Sequence, residues 1–160
     1  EDLIELAPLA DEIVADLTPL AQRRSVTLFQ ECEEVSIKGS DTLIYRLLFN
    51  LVENGIKYNR EGGSVHVRVR HADDTVVIDV EDTGTGIPES ALPSIFNRFY
   101  RVDKARSRQA GGAGLGLSIV HEMVGRNFGT IEVTSKVGEG SRFTVTFPSF
   151  GSGEEDDGDA

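Results

Sequence analysis

Apolar residues fall at Leu6, Leu9, Ala10, Ile13, Val14, Leu17, Leu20 and Ala21, close to a 3.6-residue period, which predicts a helix within Leu6–Arg24 that begins around Pro8. Pro19 interrupts that period, so a kink or a break is expected there. Val26–Gln30 and Glu34–Lys38 are short apolar-polar runs that predict two strands around a turn. A long helix is predicted from Asp41 to Tyr58, with Ser40 as N-cap and Leu43, Leu47, Leu48 and Leu51 turned to the core. Ser64–Arg70 and Thr75–Glu81 alternate strictly, with Asp73-Asp74 between them as a hairpin turn. One short helix is expected within Pro88–Arg101, whereas Val102–Gly112 is polar, arginine-rich and aperiodic and reads as a mobile loop. Gly114–Phe128 reads as a helix; Thr130–Ser135 and Ser141–Phe147 read as strands joined by the turn Gly138-Glu139-Gly140. This order predicts an α+β fold, a two-layer sandwich with helices on one face of a mixed sheet. No internal repeat is present.

Composition narrows the function. A chain of 160 residues, 39% of them hydrophobic, suits one domain with a two-layer core. The expected domain is 1–150, followed by a disordered acidic tail over 151–160 that carries Glu154-Glu155-Asp156-Asp157. A formal net charge of −11 argues against a nucleic-acid or membrane-surface role, since either favours a basic face. Cys32 stands alone, so no internal disulfide is possible, and a cytoplasmic, reducing setting is expected. No run approaches the roughly eighteen apolar residues of a membrane span, and no signal segment opens the chain. The start at Glu1 without methionine is expected of a piece cut from a longer protein, so the lack of a membrane segment here says nothing about the parent.

Three polar residues then stand out on the long apolar helix. Asn50 and Asn54, at i and i+4, point the same way, where a carboxamide oxygen can ligate a hard cation, and Lys57 follows in position to meet phosphate. Asp82 ends a strand and is followed by Gly84 and Gly86, so a carboxylate is presented with little to cover it. Such a group can accept a hydrogen bond from an exocyclic amine, which adenine carries at a position where guanine does not; alone, it reads more simply as an aspartate starting a turn. Gly112, Gly114 and Gly116 directly precede a helix, where backbone N–H groups and the helix dipole favour an anion. Alone, they read more simply as a structural turn, and they match neither the P-loop nor the dinucleotide fingerprint. His66 and His71 read as surface residues. His121-Glu122 lacks the residues that would complete a phospho-accepting or zinc motif.

Taken together, NLVENGIKYN (50–59), DTGTGI (82–87), FNRFYRVD (96–103), GGAGLGLSIV (111–120) and GEGSRF (138–143) resemble the N box, first glycine box, F box, second glycine box and third glycine turn of sensor histidine kinases. The match covers about 41–148, in family order and spacing. The resemblance implies the Bergerat ATP-binding fold, with a mobile lid between the two main glycine boxes. It implies ATP and Mg2+ as ligands, Asn54 as the metal ligand, Asn50 on the metal and phosphate side, Lys57 at phosphate and Tyr58 packing on adenine. Asp82 resembles the adenine acceptor, with Gly84, Gly86 and Ile87 in its turn. Arg101 resembles the arginine reaching the γ-phosphate. Gly112, Gly114 and Gly116 resemble the hinge and phosphate-side backbone, with Leu115 and Leu117 among the nucleotide-binding positions the resemblance implies, and Phe96 and Phe99 resemble lid anchors, although each also reads as an ordinary core aromatic. Two departures stand out: Gly55 replaces the usual alanine, and Arg126-Asn127-Phe128-Gly129 replaces the usual His-Gly-Gly, so that Phe128 is expected to need housing where the family has glycine.

The implied activity is transfer of the γ-phosphoryl group of Mg-ATP to a histidine on a separate dimerisation and phosphoacceptor domain, with a response regulator downstream. The phosphoacceptor helix is absent from this sequence. The isolated domain is expected to be monomeric and to make no direct contact with nucleic acid or membrane. Two alternatives are an ATPase resembling the gyrase, chaperone and mismatch-repair enzymes and a non-catalytic nucleotide-sensing module. The ATPases carry a water-activating glutamate where this chain has Asn50, and Glu53 lies about 60° round the helix from it. A serine kinase of the anti-sigma type shares the fold but not the F box.

Overall fold

A computed structural model of the chain describes residues 2–97 and 116–149. The lid assigned to 102–112, Phe99 and the acidic tail lie outside the described residues.

β1 (Asp2–Glu5) runs directly into α1 (Leu6–Arg23). The helix starts at Leu6 rather than Pro8, and it continues through Pro19 as one element. Ala15 and Pro19 are both exposed, so the carbonyl that Pro19 cannot serve faces water. β2 (Thr27–Cys32) and β3 (Ser36–Gly39) follow, but they do not pair with each other. β3 pairs antiparallel with β1, which the sequence pattern did not predict, while β2 leaves to join the main sheet. The reason is long-range: Ile37 of β3 and Ile4 of β1 are both buried, and a strand that short gains more by covering a core edge than by closing a local turn.

α2 (Asp41–Lys57) is capped as predicted, with Ser40 Oγ accepting from Leu43 N at 3.3 Å. Its Ile44, Leu47, Leu48, Leu51, Val52 and Ile56 are buried, and each such aliphatic side chain contributes about 1.5–3 kcal/mol. β4 (Ser64–Ala72) and β5 (Thr75–Asp82) form the predicted hairpin, turned at Asp73 with a left-handed φ of 55°. A 3-10 helix (Glu89–Ser94) stands where one short helix was expected. α3 (Gly116–Arg126), β6 (Thr130–Lys136) and β7 (Gly140–Pro148) complete the described chain.

The main sheet has five strands in the order β2-β4-β5-β7-β6, with β2 parallel to β4 and every other pair antiparallel. The helices cover the face carrying Val65, Val67, Val69, Val76, Ile78, Val80, Val145 and Phe147, all buried. The opposite face carries a charge ladder, with Arg68 to Glu81 at 3.0 Å and Arg142 to Asp79 at 3.7 Å. The result is the expected two-layer α+β sandwich. Asp82, at the end of the central β5, and the last turn of α2 meet at one end of it.

Candidate nucleotide-binding site

α1 packs against one flank of α2, where Tyr45 donates a hydrogen bond to Asp16. Asn50 and Asn54 lie five and nine residues after Tyr45, which places them about 140° and 180° round the helix, on the flank away from α1. Both are half-buried, and among the described residues neither carboxamide has a hydrogen-bond partner. Two partnerless carboxamides on one helix flank are unusual for half-buried amides. Lys57 is placed on that flank too, but its Nζ lies 3.6 Å from Glu53, so that amine is held by an intrahelical ion pair. Glu53 thus engages Lys57 instead of standing in for a base beside Asn50.

Asp82 is the electrostatic focus. Its Oδ1 accepts from Gly84 N at 2.8 Å and from Ser141 N at 3.3 Å, while Oδ2 has no partner among the described residues. Burial raises its pKa to about 6, opposed by the two N–H donors and helped slightly by the charge on Glu81. One oxygen is locked and the other is open.

The turn after Asp82 is held close against α2. Thr85 N donates to Tyr58 O at 3.0 Å, and a Cβ on Gly84 would lie 2.4 Å from that same oxygen, so only glycine fits. Gly86 adopts a φ of 77° beside the β6–β7 turn, where Gly138 N donates to Thr85 O at 2.9 Å. Ile87 N donates to Ser135 Oγ at 2.7 Å, which in turn contacts Ser141 Oγ at 2.7 Å. Thus the third glycine turn supports the first glycine box, a contact that motif spacing alone does not show.

The structure therefore brings Asn54, Lys57, Tyr58, Asp82, Gly84, Gly86 and Ile87 to one end of the sandwich, with Asn50 about one turn before Asn54 on the same flank of α2. α3 opens at Gly116, and Leu117 is partly buried against the core. Phe96 also packs on that core, with its ring 5.1 Å from His121 and 6.5 Å from Phe143. Arg101, Gly112, Gly114 and Leu115 lie outside the described residues.

Residues 39–150 match the model of the histidine kinase-, DNA gyrase B- and HSP90-like ATPases. The chain belongs to that family. Members of this ATPase family share an ATP-binding domain, which agrees with the open carboxylate and the glycine turns. Curated relatives include the sensor histidine kinase RppB of Synechocystis, 38% identical over 88% of this chain and 32% of its own length. The sensor histidine kinase CusS of Escherichia coli K12 is 39% identical over 88% of this chain and 30% of its own length. The chain thus spans about a third of the length of these relatives. In solved structures, the catalytic domain of the histidine kinase ThkA aligns with a TM-score of 0.80 at 24% identity, covering 92% of this chain and 94% of that one. The mycobacterial sensor histidine kinase MprB aligns with a TM-score of 0.78 at 23% identity over 92% of this chain and 97% of its own. These likenesses show the same fold.

Both departures from the family pattern acquire a structural account. A Cβ on Gly55 would meet the Val65 methyls at 3.2–3.3 Å and Asp82 Cβ at 3.4 Å, so the helix sits tightly on the strand end here. Phe128 is not housed in the core, contrary to expectation; it is 74% exposed, with a left-handed φ of 65°. Gly129 N donates to Val124 O and Phe128 N to Gly125 O, the Schellman pattern in which glycine usually takes the position of Phe128. Asn127, noted in the sequence only as part of that departure, ties this end of α3 to α2 by accepting from Ser40 N at 3.1 Å. Asn59 and Thr83 were missed as well; their signal was a carboxamide and a hydroxyl flanking glycine turns.

Proposed function

We propose that this chain is the ATP-binding catalytic domain of a two-component sensor histidine kinase. The observation that carries the reading is Asp82, fixed through one oxygen and open at the other, at the same end of the fold as the partnerless carboxamide of Asn54, with that of Asn50 one turn away on the same flank of α2. Asp82 Oδ2 accepts the exocyclic amine of adenine, and Tyr58 flanks the ring.

The residues fit magnesium in its usual protein role. The described residues hold no cluster of three acidic, histidine or cysteine ligands, but Mg2+ bound with a nucleotide needs only one or two protein oxygens besides phosphate and water. Asn54 supplies one such oxygen and Asn50 lines that side. The bound ion supplies charge neutralisation on the phosphates. Lys57 exchanges Glu53 for phosphate, and Arg101 approaches the γ-phosphate, with Gly112, Gly114, Leu115, Gly116 and Leu117 along the phosphate side.

Group transfer needs a nucleophile from a separate phosphoacceptor domain. A neutral histidine ring nitrogen forms a bond to the γ-phosphorus, the bond to the β–γ bridging oxygen breaks, and ADP leaves. Hydrolysis by water needs a base, and Asn50 cannot serve as one, so the isolated chain turns over ATP slowly. The expected setting is the cytoplasmic part of a longer kinase, with the catalytic domain in 1–150 and a response regulator downstream. ThkA has been crystallised in complex with the response regulator TrrA.

Mixing the chain with a purified dimerisation domain and γ-labelled ATP should place acid-labile, base-stable label on that partner. Isothermal titration should give clear binding of Mg-ATP and much weaker binding of Mg-GTP, because guanine would leave a buried carboxylate unpaired. Rapid partner-independent hydrolysis, or acid-stable label on serine, would overturn the reading.

A further inference from the structure

The two ends of the proposed site stand on different elements: Asp82 ends β5, and Asn54 lies on α2. Something must set their separation. Two backbone contacts help, but one side chain joins all three segments that converge there. Asn59 Nδ2 donates to Gly55 O at 3.0 Å in α2 and to Ser64 O at 2.9 Å at the start of β4. Its Oδ1 accepts from Thr83 Oγ1 at 3.1 Å, one residue after Asp82, and from Arg60 N at 2.8 Å. Both donors and both acceptor positions of the carboxamide are thereby used.

Thr83 completes the junction. Its Oγ1 accepts from Ser64 N at 2.9 Å, and its carbonyl accepts from Arg60 Nη1 at 2.6 Å. Room for this junction exists only because residue 63 is glycine: a Cβ there would lie 2.1 Å from Asn59 Oδ1 and 2.7 Å from Thr83 Oγ1. A surface turn has no need for so many directed bonds on one planar group.

We infer that Asn59, acting with Thr83, is a positioning residue that sets the spacing between the adenine acceptor Asp82 and the phosphate-side carboxamide Asn54. The inference rests on the site proposed above. A nucleotide engages both ends at once only when that spacing matches its length. Loss of the junction therefore leaves each end able to bind alone and uncouples the two.

The test compares adenosine, which engages only the Asp82 end of the site, with ATP in the presence and absence of MgCl2. Asn59→Ala and the near-isosteric Thr83→Val should leave adenosine affinity within about twofold while lowering the gain in ATP affinity on adding Mg2+ by about tenfold, the scale of a misplaced contact. Circular dichroism identifies a variant that has failed to fold, and Thr83→Val decides the matter if Asn59→Ala does so. Equal losses for adenosine and Mg-ATP would mean a purely structural junction and overturn the inference, as would an unchanged Mg2+ gain in both variants. If the unmodified chain binds ATP with no Mg2+ dependence, the site reading itself fails.

Discussion

At the scale of residues, Asp82 concentrates the chemistry. Asp82→Asn keeps an oxygen where Gly84 N and Ser141 N donate and places an amide donor where Oδ2 faced the cleft. ATP affinity should fall by about a hundredfold, since a charge-assisted bond is replaced by opposed donors, and titration calorimetry would read the change. The carboxylate also makes recognition pH-dependent. Because its pKa is raised to about 6, adenosine affinity should be about tenfold weaker one unit below that value than at pH 7.5, as a proton competes with the adenine amine. The asparagine variant should show no such slope. A slope that survives the substitution would assign the titration elsewhere.

At the scale of elements, α3 illustrates how a local rule can be broken at tolerable cost. Its C-terminal turn keeps both Schellman hydrogen bonds although Phe128 occupies the left-handed position at a φ of 65°. A bulky L-residue there costs about 1–2 kcal/mol, and at 74% exposure the ring recovers little by burial. Phe128→Gly should therefore stabilise the domain by about 1 kcal/mol, visible as a higher urea midpoint with an unchanged slope. A lower midpoint would show that the ring makes stabilising contacts. α1 shows the complementary case: Pro19 survives inside a helix because the carbonyl left unserved faces water.

At the scale of the whole molecule, the proposed nucleotide site opposes stability. The native Asp82 holds its proton up to about pH 6, whereas the group ordinarily loses it near 3.8. Between these values the native state binds more protons than the unfolded chain, so this contribution is present at low pH and is lost as pH rises through about 6. Above that pH the ionised carboxylate costs the ligand-free domain about 2–3 kcal/mol. Relative to the unmodified chain, Asp82→Asn should thus gain stability on going from pH 4.5 to pH 7.5, with urea unfolding as the measurement. A constant difference across that range would contradict the buried, open carboxylate.

Most elements were legible because their causes are local. Alternation over Ser64–Arg70 and Thr75–Glu81, the Ser40 cap and the leucine stripe of the long helix each arise from neighbours within one or two turns of the same segment. The residues proposed for the site stood out in the sequence through the ordered motifs that carry them, since each glycine turn alone reads more simply as structural. Strand partners were not legible. β2 pairs with β4 and β3 with β1 because each buries its apolar face against residues remote in sequence, a choice that no local pattern contains. The same holds for Asn59 with Thr83, and for Ser135 with Ile87: hydrogen bonds between segments as far as 48 residues apart exist only after the sheet has brought them together. The sequence by itself determined which groups could recognise a nucleotide; tertiary packing decided that one oxygen of Asp82 is locked, the other open, and how far it stands from Asn54.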